Sequence, residues 1–132
     1  MGKFDFQFDT ALIRQLEKLS NYDEIAPKIL SEAIPILERH VRGEIAKHKK
    51  TGALLKSIKA GKPAQNKYGW YATVFPTGTD ENGMRNAEKL VYMEYGTSTQ
   101  PSIPVLTKAL KDAEPKVTEV LQKAFNEAVK VE

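Results

Sequence analysis

The chain has 132 residues, 41% hydrophobic and 28% charged, the proportions of an ordinary globular protein with room for one modest core. Cysteine is absent, which excludes disulfides, thiolate catalysis and Cys-based zinc sites and fits a reducing compartment. The net charge of +3 conceals a gradient: residues 1–38 hold four Lys/Arg against seven Asp/Glu, residues 39–85 ten against three, and residues 86–132 six against seven.

In chain order, "KFDFQFD" alternates, with Phe4, Phe6 and Phe8 on one face, and predicts a half-buried strand. The acids in this stretch argue against an export signal, and no apolar run approaches the ~18 residues of a membrane span. Asp9 or Thr10 can cap a helix through Leu12, Ile13, Leu16 and Leu19. Asn21 followed by Glu24 has the shape of a capping box. The longest helix is expected to start there, with Ala26, Ile29, Leu30, Ala33, Ile34, Leu37, Val41 and Ile45 at three- and four-residue steps. Pro35 inside that pattern predicts a kink or a break.

"TGALLKSI" reads as a short helical turn headed by Thr51. From Ser57 the pattern predicts a hairpin, with turn signals at Gly61, Pro63 and Asn66. Tyr68, Trp70, Ala72 and Val74 line one face, while Tyr71 and Phe75 leave the other face less polar than a solvated sheet wants. "PTGTDENGMRN" carries no apolar pattern and is expected to be mobile until assembly orders it. "NAEKLVYMEYG" fits a helix with Ala87, Leu90, Val91 and Tyr95 on one face and Glu94 projecting elsewhere; a short strand is the rival reading. Gly96 then suits a positive-φ helix stop. From about Ile103 a last helix begins, with Pro104 in its first turn. Its apolar stripe runs from Val105 to Val129, and Pro115 is expected to bend or split it. The fold class is α+β: one domain over residues 1–132, a small antiparallel sheet packed against long N-terminal and C-terminal helices.

No constellation announces catalysis. His40 and His48 lie eight residues apart without an HExxH pattern, and neither GxSxG nor a glycine-rich phosphate loop occurs. Asp80 and Glu81 lack the alternating oxygen ligands of an EF-hand. Glu94 is the one suggestive carboxylate, and its plain role is an ion pair or a hydrogen bond to backbone N–H groups. No catalytic, cofactor-binding or metal residue is therefore assigned.

Three segments together resemble the head–tail joining and tail-completion proteins of long-tailed phages and prophages. The first is Thr51, Gly52, Leu54 and Ser57; the second Glu94, Tyr95, Gly96 and Thr97; the third Gln100, Pro101, Pro104 and Val105. The chain departs from the family pattern at "KHKK", where a proline often precedes Thr-Gly, and at Ser102 and Ile103, where Ala and Arg are common. The resemblance implies a non-enzymatic virion component, assembled in the host cytoplasm. It implies a ring, commonly hexameric, between the head connector and tail proteins, with DNA passing through and no membrane partner. Trp70, Tyr71 and Phe75 are the candidate ring-contact residues on the hairpin. The alternative is a small DNA-binding protein using the basic block 39–67, against the plain reading of that block as a solvated face.

Overall fold

The computed structural model describes residues 14–15, 17–48, 52–67 and 69–131, with side chains to 127. The strand expected at 3–9, most of the helix expected through Leu12 and Leu16, the Thr51 cap and Tyr68 lie outside the described residues. In chain order, the elements are α1 (Tyr22–Ala46), α2 (Gly52–Ser57), β1 (Ile58–Ala60), β2 (Ala64–Asn66), β3 (Gly69–Tyr71), β4 (Val74–Pro76), α3 (Asn86–Tyr95) and α4 (Val105–Val131). The α+β class is as expected, with two small antiparallel ladders of two strands each lying in the chain between the long helices α1 and α4.

Helices α1 and α4 pair antiparallel. Val41 and Ile45 near the end of α1 share a core with Val105, Leu106 and Ala109 at the start of α4, joined by Leu54, Ile58 and Leu90. Ile29 and Ala33 meet Ala113, Val117 and Leu121 further along. Ile45 and Ile58 are wholly buried, each worth about 2 kcal/mol of apolar transfer. The two clusters share α1 and α4, so all elements close on one body. Both long helices run unbroken through their prolines, Pro27 and Pro35 in α1 and Pro115 in α4. The expected splits at Pro35 and Pro115 do not occur. Each proline removes one backbone bond, and a continuous buried stripe on either side outweighs that loss.

The capping box at Asn21 also fails. Its carbonyl accepts from the Glu24 and Ile25 amides, yet its side-chain Oδ1 is buried without a partner. The backbone there, φ −102° and ψ 23°, departs from the extended geometry from which an N-cap side chain reaches its amides.

The hairpin is one ribbon with an offset. β1 pairs with β4 (Lys59 opposite Phe75) and β2 with β3 (Gln65 opposite Trp70). Between the two ladders the Gly61 amide donates to the Thr73 carbonyl at 2.7 Å. Lys62 and Pro63 then face Ala72 alone, the two-against-one count of a β-bulge. Pro63, which cannot donate, sits where the ladder is already interrupted. The chain reverses beyond the Asn66–Gly69 pair, next to the expected turn signal at Asn66 rather than at Gly61 or Pro63. The inward set Trp70, Ala72 and Val74 and the outward set Tyr71 and Phe75 follow the predicted alternation.

Candidate functional site

The three motif segments converge. Leu54 of the first and Val105 of the third lie in the same cluster as Leu90, one turn before Glu94 of the second. Leu54 and Ser57 are buried, which corrects their standing as surface contacts. The Ser57 hydroxyl donates to the Leu54 carbonyl at 2.6 Å, and the Ser57 carbonyl receives both the amide and the hydroxyl of Thr77 at 2.9 Å. The first segment is thus a brace between α2 and the strand leaving the hairpin. Gly52 opens α2 and is exposed.

The second and third segments form a joint between α3 and α4. α3 is a helix, with Ala87, Leu90 and Glu94 as its buried line. Two expectations are corrected: Glu94 sits on the inward face, and Tyr95 is 68% exposed. Helix α4 has no polar side chain at its own cap. Pro104 precedes its first residue and only lends its carbonyl to the Lys108 amide. The cap comes from α3 instead. Glu94 Oε2 accepts from the Leu106 amide at 2.8 Å, and Oε1 accepts from the Thr107 amide at 3.0 Å and the Thr107 hydroxyl at 2.6 Å. The partial positive charge of the α4 N-terminus offsets the buried carboxylate. Charge-assisted bonds of this kind are about twice as strong as neutral ones. With both oxygens occupied, Glu94 is a structural cap and not a free acid or base.

The chain between the helices is closed by a compact turn. The Gly96 amide donates to the Tyr92 carbonyl, and Gly96 then takes φ 77° and ψ 177°, a region that side chains resist. A Cβ there would lie 2.8 Å from the Ser102 nitrogen and 3.0 Å from the Gln100 oxygen. Thr97 turns the chain: its amide donates to the Gln100 carbonyl and its Oγ1 accepts from the Gln100 amide at 3.1 Å. The Ile103 amide returns to the Met93 carbonyl at 2.7 Å. Gln100, Pro101 and Pro104 are exposed along this path.

The loop expected to be mobile is a built turn. Asp80 Oδ1 accepts from the Asn82 and Met84 amides, and Oδ2 pairs with Lys89 at 2.6 Å. The Lys89 hydrogen bond first, and the Met84 amide second, hold the Asp80 carboxyl below its ordinary range. Gly83, at φ 82°, lets the turn close on the Asp80 carbonyl. Asn86 secures the exit through the Thr77 and Gly78 carbonyls. Sequence reading missed this device, although "DENG" carries its signal in an acid, an Asn and a Gly at turn spacing. The Glu94 cap was also legible in principle: "PSIPVLT" offers α4 no hydrogen-bonding side chain at Pro104, and Glu94 is in step with Ala87 and Leu90.

Trp70 is half-buried and donates its indole N–H to Asp23 at 3.0 Å, so it ties the hairpin to α1 instead of serving as an outer contact. Tyr71 and Phe75 are about two-fifths exposed, as are Tyr92 and Ile103. The basic block divides. Arg42 bonds Glu38 and the Ile58 carbonyl, and Lys47 bonds the buried Glu44, which holds the lysine above its usual pKa. A shallow depression of about 180 Å³ lies there, lined by Arg39, His40, Gly43, Glu44 and Lys47. Among the described residues, no group of three or more His, Cys, Asp or Glu could hold a metal, and no helix is long and apolar enough to cross a membrane. No protein-family model matches the chain, and no curated protein or solved structure matches it either.

Proposed function

We propose that the chain is a structural part of a phage virion, a joining or completion subunit of the head–tail connector that works as one member of a ring and performs no catalysis. The observation that supports this reading is the convergence of the three motif segments: Leu54 and Val105 share one cluster, Glu94 caps the helix that Val105 opens, and an exposed apolar rim lies beside them. Tyr92 and Tyr95 lie one turn apart on α3, and Ile103 is bonded to the end of the same helix. A rigid joint that presents aromatic surface suits docking, since aromatic residues are enriched at protein contacts. A ring needs heterologous contacts, one patch meeting a different patch on the neighbour. The α3 face replaces the hairpin as first candidate for that contact, because Trp70 is engaged internally.

The test is assembly. Sedimentation of the isolated chain over a concentration series is expected to show weak self-association, strengthened by a tail-tube or connector partner, with rings in electron micrographs. Tyr92→Asp with Tyr95→Asp is expected to abolish assembly of infectious particles while circular dichroism stays unchanged. A folded double variant that builds particles at the normal level would remove the α3 face from the contact.

A further inference from the structure

Between Ile45 and Thr79 the chain has no Asp or Glu and seven lysines. Three of them stand exposed on α2 and the ribbon that follows it: Lys56, Lys59 and Lys62. Lys59 and Phe75 stand opposite each other on the outer face of the ribbon, and Lys62 occupies the bulge. Lys56, Lys59 and Lys62 are exposed and have no ion-pair or hydrogen-bond partner among the described residues. Several cations elsewhere are engaged, Arg42 with Glu38, Lys47 with Glu44, Arg85 with Glu88 and Lys89 with Asp80. Others without a bonded partner among the described residues, such as Lys28, Arg39, Lys111 and Lys123, stand within four residues of an Asp or Glu, which Lys56, Lys59 and Lys62 do not. The half of the basic block near the end of α1 is therefore partly neutralised, while Lys56, Lys59 and Lys62 stand exposed and uncompensated among the described residues.

We propose that the exposed lysines at the end of α2 and on the adjoining ribbon, Lys56, Lys59 and Lys62, make a sequence-independent contact for the phosphate backbone of duplex DNA. Charge complementarity carries this. Lysine is depleted at protein–protein contacts, whereas phosphate binding is built from such uncompensated cations. Single strands are held by base stacking on open aromatic faces. Of the two exposed rings on the outer face, Tyr71 and Phe75, Phe75 lies against Gly61, its Cε1 only 3.4 Å from where a Cβ would stand, which leaves Tyr71 as the more open ring beside three uncompensated ammonium groups. The contact reads no bases and requires no ring, so it stands independently of the assembly reading.

The experiment is fluorescence anisotropy of a short mixed-sequence duplex titrated with the isolated chain over a range of salt concentrations. Affinity is expected to fall with salt with a log–log slope of about −3, for three phosphate contacts. Lys59→Glu with Lys62→Glu is expected to reduce that slope by about two. Lys111→Glu with Lys123→Glu, the same change of net charge placed on α4, is expected to leave the slope unchanged. Both pairs are exposed, and thermal melting confirms that each variant is folded. An equal loss in the α4 variant would mean a diffuse charge effect and overturn the site. So would the absence of salt-dependent duplex binding. Tighter binding of a single strand would overturn the duplex assignment, and equal binding of poly-glutamate would hand the surface to an acidic protein. Failure here leaves ring assembly standing, and failure of the Tyr92/Tyr95 test leaves this contact standing.

Discussion

The joint between α3 and α4 and the ribbon between α2 and α3 both connect helices, yet they spend their polar groups in opposite directions. In the joint, Glu94, Gly96, Thr97 and Ile103 all direct hydrogen bonds inward. In the hairpin, two three-residue ladders are offset by a bulge, and the side chains of Lys59 and Lys62, with Lys56 at the end of α2, remain without partners among the described residues. Committed polar groups fix a geometry, whereas uncommitted charges remain available to something outside the chain. The joint is accordingly the region where substitutions should cost stability. The hairpin is where they should alter binding and leave the fold standing.

The harshest test of that division is Gly96→Val. It adds a side chain at positive φ and drives a Cβ into backbone 2.8 Å away, an atom that cannot rotate aside. A loss of roughly 3 kcal/mol is expected, read from the urea midpoint; an unchanged midpoint would mean that the joint is not rigid. Glu94→Ala comes next. It leaves the Leu106 and Thr107 amides and the Thr107 hydroxyl without their acceptor, at an expected cost of about 2 kcal/mol. Glu94→Gln should recover part of this, since it keeps one acceptor.

A smaller effect is expected at Asp80. Its folded carboxyl titrates below the ordinary value, so its stabilisation is complete above the unfolded carboxylate pKa of about 3.9 and is lost as the pH falls through the lower folded value. The melting temperature of Asp80→Asn should lie below that of the parent at neutral pH, and the gap should close in acid. Hydrogen exchange at the Asn82 and Met84 amides, slow in the parent, should speed up in the variant. The smallest change is Trp70→Phe, which removes one exposed hydrogen bond to Asp23. About 0.5 kcal/mol is expected, with duplex binding unaltered; a change in binding alone would move Trp70 back to the outer surface.

What was legible in the sequence follows the same line. The two long helices, the alternation around Trp70 and Phe75, and the glycine stop at Gly96 each depend on residues close in sequence, and each is present. What escaped depends on partners brought from a distance. A carboxylate in an apolar helix reads as outward-facing until the uncapped start of α4 supplies its donors. Asn21 reads as a cap because spacing says nothing of backbone angles. Pro35 reads as a kink or a break and Pro115 as a bend or a split, and neither divides its helix, because the strength of the α1–α4 seam is not visible from either helix alone. The turn at Asp80 reads as slack because its closing cation, Lys89, belongs to the next helix.

The borrowed cap also has a kinetic meaning. The first turn of α4 has no cap among its own residues, so the arrival of the end of α3 is expected to stabilise it. Glu94 stands 12 and 13 positions before its amide partners, a short loop whose closure costs little entropy. The α3–α4 corner can thus form as a local unit before α1 arrives to bury the α4 stripe. Glu94 belongs among the contacts made on the way to the folded state, and its loss should slow refolding more than it hastens unfolding.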